Sequence, residues 1–271
     1  MSKLKKLQAK LTEMKRVLVA YSGGADSTFL LKIALTTLGR GNVLAVIATS
    51  ETYPDSEVRS AIKTAKQMQA NLMIIKTEEL KDLRFSKNPL RRCYYCKLEL
   101  FTKLKKIAKE KDCKVVLDGA NYDDRLDFRP GTKAGKALGI KSPLKETGFT
   151  KIEIRKLSKK LGLTTWNKPS MACLASRIPY GTKIENRILK QISRAEEYLK
   201  SIYFEQVRVR HHGKLARIEV MEKDFRLLLK SGAAKKIAEK LKSIGYTYIT
   251  FDLEGFRSGS MNLPHFKQGR R

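Results

Sequence analysis

The sequence predicts an α/β protein: a nucleotide-binding domain on a parallel sheet, followed by a smaller α+β domain. Three observations carry this reading. Short apolar runs alternate with helix-like stretches through the first half, a Ser-Gly-Gly turn closes the first of those runs, and the pattern changes after the Pro179-Tyr180-Gly181 turn. Strands alternating with helices imply right-handed crossovers, and so a parallel sheet covered on both faces.

The chain opens with MSKLKKLQAKL, where Leu4, Leu7, Leu11 and Met14 recur every three or four positions, as on one face of a helix. RVLVAY (16–21) is a strand ending in Ser-Gly-Gly, and a helix follows from Ala25 to Leu38. VLAVIAT (43–49) is the next strand. It leads into SEVRSAIKTAKQMQA (56–70), in which Val58, Ile62, Ala65 and Met68 mark one helical face. LMIIKT (72–77) and VVLDGA (115–120) repeat the strand signal around a helix at 97–110. A short strand at 142–144 and a helix at 150–161 complete the first domain, taken as residues 1–180. Residues 181–271 read as a small α+β domain: a helix (185–200), strands VRVRHH and LARIEV, a helix (224–243) and strand YTYITFDL. In VRVRHH, Val207 and Val209 share a face with His211, while Arg208, Arg210 and His212 point the other way. Both histidines read as exposed strand residues rather than metal ligands.

At 271 residues, 42% of them hydrophobic, the chain can bury the cores of two domains. No uninterrupted apolar run approaches the roughly 18 residues a bilayer crossing needs, and the opening is not a signal peptide. A cytoplasmic protein without a membrane partner is expected. Lys and Arg outnumber Asp and Glu by 57 to 27, a net +30 that attracts phosphate-rich partners over long range. Nucleic acid is therefore an alternative partner. The lysines are spread over every helix, however, as solvated faces are. The four cysteines, at 93, 96, 113 and 173, include a CxxC pair, which in a cytoplasmic protein points to a metal, cluster or redox role before a structural disulfide.

The strongest chemical signal is Ser22-Gly23-Gly24-Ala25-Asp26-Ser27 between a strand and a helix. Two glycines let the backbone turn tightly and present successive N–H groups to an anion at a helix N-terminus. Ser22 and Ser27 add hydroxyls. The Walker pattern GxxxxGK[ST] is absent. SGGxDS resembles the PP-loop of ATP pyrophosphatases, whose members hold the pyrophosphate part of ATP and release AMP from an adenylated intermediate. In such a sheet the ligand sits beyond the carboxyl ends of the strands, and there stand Asp118, Gly119, Asn121, Asp123 and Asp124. Their carboxylates suit Mg²⁺ or polar groups of a substrate, and Asp26 is a further candidate partner of magnesium or pyrophosphate. Arg125, Asp127 and Arg129 suit anionic oxygens, whether of a substrate or of an internal ion-pair network.

Arg92-Cys93-Tyr94-Tyr95-Cys96-Lys97 offers two thiolates, whereas a closed zinc site wants four ligands and the chain has no second CxxC. Cys173, in Pro169–Arg177, supplies a third. Three cysteines can hold a 4Fe-4S cluster with one iron left open for an extra sulfide. Cys113 reads as a partly buried spectator.

RCYYCK, DGAN-DD, the RPG of 129–131, KPSMACLASRIPYGT and DLEGFRSGSMN together resemble the LarE family of sulfur transferases, across about residues 15 to 262. The resemblance implies an adenine nucleotide alpha hydrolase-like domain and a nucleotide substrate, pyridinium biscarboxylic acid mononucleotide. Its carboxylates become thiocarboxylates during nickel-pincer cofactor assembly. It also implies a homo-oligomer and two possible sulfur sources: some members sacrifice the cysteine at position 173, leaving dehydroalanine, and others bind a cluster through three cysteines. Cys93 and Cys96 beside Cys173 favour the cluster, resupplied by sulfide or another sulfur donor. The expected chemistry is ordered. ATP and Mg²⁺ bind at Ser22–Ser27, a substrate carboxylate attacks the α-phosphorus, and sulfur at Cys173 displaces AMP while Ser176 and Arg177 orient the substrate. The rival readings are a tRNA thiolation enzyme, an ammonia-using synthetase on the same scaffold, and a nucleotide-binding regulator.

Overall fold

The structure, a computed structural model, describes residues 1–125, 130–169, 172–228, 232–257 and 259–262. The chain forms two compact units, Met1–Phe85 with Pro89–Met171, and Ser86–Asn88 with Ala172–Arg271.

The first unit begins with α1 (Lys3–Met14), whose N-cap Ser2 accepts from Lys5 N and whose Leu7 and Leu11 are fully buried. Then come β1 (Val17–Ala20), α2 (Ala25–Leu38), β2 (Val43–Thr49), α3 (Asp55–Gln67), β3 (Asn71–Lys76), the single turn α4 (Leu83–Ser86), α5 (Arg92–Glu110) and β4 (Val115–Leu117). Three helices close the unit: α6 (Gly131–Ala137), α7 (Pro143–Glu146) and α8 (Lys151–Lys160). The sheet order is β3-β2-β1-β4 and every pairing is parallel, as expected. The two-residue strand period explains why β1 and β2 are apolar throughout. Val17, Val19, Val43, Ala45 and Ile47 pack with α2 and α3, while Leu18, Leu44 and Val46 pack with Leu100, Phe101 and Leu104 of α5.

Two expectations fail locally. The strand expected at 142–144 is the helical turn α7, and only Lys141 pairs with the sheet, through a bridge to Leu117. Pro143 has no N–H to give a ladder but suits the first turn of a helix. α5 starts five residues earlier than the apolar pattern suggests, so Cys93 and Cys96 lie inside its first turns rather than in a loop before it.

The second unit contains α9 (Asn186–Ile202), β5 (Val207–His212), β6 (Leu215–Val220), α10 (Phe225–Leu228), α11 (Ala233–Ser243) and β7 (Tyr248–Phe251). β5 pairs antiparallel with β6, and β6 parallel with β7. The helix expected over 224–243 is divided into α10 and α11, with Gly232 at φ +74 before α11. β5 is covered on both faces, not one: residues 207–211 are all buried. His211 is therefore an interior residue against the Tyr246 ring, correcting the exposed reading, while His212 is exposed. Burial lowers the pKa of His211. Asn88 fastens residues 86–88 into this unit. It is fully buried at φ +58, and its Nδ2 donates to the carbonyls of Ile178, Pro179 and Thr182 at 3.4, 2.7 and 2.9 Å. Among the described residues no helix is long and apolar enough to cross a membrane.

Candidate active site

The chain runs β1, β2, β3 to one side and then returns to place β4 on the other side of β1, so the topological switch point lies at the carboxyl ends of β1 and β4. Ser22–Ser27 leaves β1 there and Asp118–Asp124 leaves β4. Gly23, at φ +71, is where the loop turns, and Ala61 of α3 occupies the space a side chain would need. Gly24 caps α2 without a side chain, leaving the first-turn N–H groups of that helix for an anion. Ser22 Oγ and Ser27 Oγ lie 3.0 Å apart, and Ser27 Oγ donates to the Gly24 carbonyl at 3.2 Å. From the β4 side, a Cβ on Gly119 would stand 3.0 Å from Ser27 N, so only glycine lets the two loops approach this closely.

The acidic segment is organised by its own backbone. Asn121 Oδ1 accepts from Asp123 N and Asp124 N, Asp124 Oδ2 accepts from Asn121 N, and Asp118 Oδ1 accepts from Ala120 N. Asp123 Oδ2 accepts from Lys151 N at the start of α8. Asn121 Nδ2 donates to Asp26 Oδ2 at 3.3 Å, and Lys151 Nζ lies 2.6 Å from the same oxygen. The other oxygen, Asp26 Oδ1, is buried without a hydrogen-bond partner. The structure thus brings Ser22, Gly23, Gly24, Asp26, Ser27, Asp118, Gly119, Asn121, Asp123 and Asp124 to one end of the sheet.

Two lysines missing from the sequence reading belong here. Lys151 follows Thr150, the N-cap of a capping box with Glu153, a pattern visible in TKIE that fixes where the lysine sits. Lys168 pairs with Glu57 of α3 at 2.8 Å and donates to the Gly23 carbonyl at 3.2 Å, a partnership no sequence spacing reveals.

In the second unit Cys173 precedes the 3-10 turn Leu174–Arg177 and its thiol is half-buried. Arg177 is buried. Its Nε and Nη2 bind both oxygens of Glu196 at 2.8 and 2.9 Å, and its Nη1 donates to the carbonyls of Ala172 and Cys173 and to Ser176 Oγ. Glu196 also accepts from Val209 N at 3.0 Å. Burial works against the Arg177 charge, but Glu196 outweighs it and raises the pKa above the ordinary arginine value. Ser176 gives its carbonyl to Arg210, which pairs with Glu219 at 2.6 Å. Arg208 differs. It is 8% exposed and lies over the Phe256 ring, with no hydrogen bond or ion pair among the described residues. Burial, then the charges of Arg177 and Arg210, push its pKa down to about 10. Glu196 and Glu219 pull the other way, but only in part.

Cys93 is exposed and Cys96 half-buried, three residues apart on α5 and so on the same side of it. They belong to the first unit and Cys173 to the second. Among the described residues no group of three or more His, Cys, Asp or Glu side chains is disposed to hold a metal ion. Cys113 is buried, and desolvation raises its thiol pKa. Arg125 stacks on Tyr122 at 3.4 Å, whereas Asp127 and Arg129 lie outside the described residues.

The NAD synthase family model matches residues 2–89. The chain is 41% identical over 259 residues to the pyridinium-3,5-bisthiocarboxylic acid mononucleotide synthase of Lactiplantibacillus plantarum, covering 94% of this chain and 92% of that one. It is 38% identical to an uncharacterized Synechocystis protein (96% and 97% covered) and 32% identical to one from Methanocaldococcus jannaschii (95% and 98%).

Proposed function

The chain belongs to the LarE family of PP-loop sulfur transferases, and from that premise we propose that it converts a carboxylate of pyridinium-3,5-biscarboxylic acid mononucleotide into a thiocarboxylate. It is an ATP-dependent sulfurtransferase, and the observation that carries the finer reading is the meeting of Ser22–Ser27 with Asp26, Asn121 and Lys151 at the switch point of the sheet.

The α2 N-terminus and the Ser22 and Ser27 hydroxyls bind the diphosphate that will leave. The substrate carboxylate attacks the α-phosphorus, the bond to the β-phosphate oxygen breaks, and pyrophosphate departs against the charges of Lys151 and Lys168. The acyl-adenylate then has AMP as a good leaving group, and a sulfur nucleophile at Cys173 displaces it. Mg²⁺ would be held by Asp26, whose Oδ1 is a buried oxygen lacking a partner, with Asp118 on the loop after β4 as the further candidate carboxylate.

On this reading Arg177 positions Cys173 rather than touching substrate, because Glu196 and three backbone or hydroxyl oxygens already occupy its donors. Arg208 takes the substrate's phosphate or carboxylate, with Ser176 beside Arg177 shaping that turn.

Cys93, Cys96 and Cys173 would hold a 4Fe-4S cluster, which supplies an open iron able to carry an extra sulfide. Thiolates one helical turn apart suit such ligation. Sulfide or a sulfur donor is then the second partner, and the working form is a homo-oligomer. Anaerobic purification with an iron count and visible absorption tests the cluster: iron in the wild type that is lost in Cys93→Ala is expected. An iron-poor protein whose Cys173 peptide loses the mass of hydrogen sulfide on turnover would establish the sacrificial route instead.

A further inference from the structure

Glu79 is a buried carboxylate that the chemistry above does not use. It lies in the 3-10 turn Glu79–Lys81 after β3 and is 1% exposed. Its Oε1 accepts from Ser50 Oγ and from Thr52 Oγ1, both at 2.7 Å, while its Oε2 is buried without a hydrogen-bond partner. The neighbouring lysines are engaged elsewhere, Lys81 with Glu78 and Lys76 with Glu51. A carboxylate desolvated against two hydroxyls costs stability, so packing alone would favour a neutral residue here.

What Glu79 holds is the corner that carries β2 into α3. Ser50 Oγ also accepts from Thr52 N at 3.2 Å, so the carboxylate and the corner form one knot. α3 in turn touches the phosphate loop twice: Ala61 fills the space behind Gly23, and Glu57 holds Lys168, which donates to the Gly23 carbonyl. We infer that Glu79 is a positioning residue for nucleotide binding, fixing the Ser50–Thr52 corner and, through α3, the placement of Gly23 in the Ser22–Ser27 loop. The inference rests on the reading that this loop binds ATP.

The test is equilibrium binding of a non-hydrolysable ATP analogue to the full chain, with the melting temperature recorded for each protein. Glu79→Ala is expected to bind about tenfold more weakly while its folded fraction stays high. Ser50→Ala combined with Thr52→Val should weaken binding to the same extent, and adding Glu79→Ala to that pair should change nothing further, because all three act as one unit. Glu79→Gln, nearly isosteric and still an acceptor, should restore most of the affinity, and the Ser50→Ala, Thr52→Val pair carries the comparison with wild type should the alanine variant not fold. Unchanged affinity in Glu79→Ala alongside a lowered melting temperature would overturn the inference, as would additive losses in the triple variant. A wild type with no affinity for the analogue overturns both this inference and the ATP reading, whereas normal wild-type affinity with unaffected variants overturns this inference alone.

Discussion

Glu196→Ala puts the brace around Cys173 to its severest test. The substitution removes both carboxylate oxygens from Arg177, at 2.8 and 2.9 Å, and the acceptor for Val209 N at 3.0 Å. The two side chains are 5% and 4% exposed, so solvent screens little of the interaction. What remains is a buried guanidinium bound only to the carbonyls of Ala172 and Cys173 and to Ser176 Oγ. Removing one partner of a buried pair typically costs about 3–5 kcal/mol, most of it from the charge left behind. Urea unfolding followed by circular dichroism should register that loss in the second unit, and amide exchange should accelerate in β5, which Glu196 ties to α9. Alkylation of Cys173 should quicken in parallel, because its carbonyl loses a firmly held donor. A loss below about 1 kcal/mol, within the range of an exposed pair, together with unchanged Cys173 alkylation, would refute the brace.

Arg208→Met should leave the urea midpoint unchanged or raise it, while the KM for the substrate rises at least tenfold; equal KM values would remove Arg208 from the anion site. The sign follows from its pKa. The folded-state value, about 10, lies below the ordinary arginine value, so its charge opposes folding at neutral pH, and that penalty is relieved only as pH climbs through about 10. Lys168→Ala should raise the KM for ATP with a smaller effect on urea stability, measured by pyrophosphate release, since Lys168 contacts the Gly23 carbonyl and Glu57. Gly23→Ala should abolish nucleotide binding, and Ala61→Gly added to it should not restore it fully, because the positive φ remains strained. Asn88→Gly keeps the left-handed backbone accessible but abandons three carbonyls, and should cost about 1–3 kcal/mol in a urea melt.

The parallel sheet and the phosphate loop were legible because their signals are local: an apolar strand, two glycines and a helix follow one another within about twenty residues. Pro143 was equally local, yet the apolar character of 142–144 outweighed it, although a proline at a helix N-terminus is the better reading. The partners of the site were not legible. Lys168 meets Gly23 across 145 positions and Lys151 meets Asp26 across 125, and nothing in either neighbourhood announces the other. His211 departs from expectation for a related reason: it shares the face of Val207 and Val209, and alternation along β5 cannot show that the distant Tyr246 ring packs against it, nor that Ser176 and Glu219 hold Arg210 in the interior.

The most direct measurement is to count pyrophosphate and thiocarboxylate formed from ATP and the biscarboxylate mononucleotide by wild type and by Cys173→Ser. One pyrophosphate for each thiocarboxylate is expected in the wild type. The variant should still release pyrophosphate yet form no thiocarboxylate, because activation belongs to Ser22–Ser27 and sulfur delivery to Cys173. Thiocarboxylate formed without pyrophosphate, or by the variant at the wild-type rate, would contradict the account.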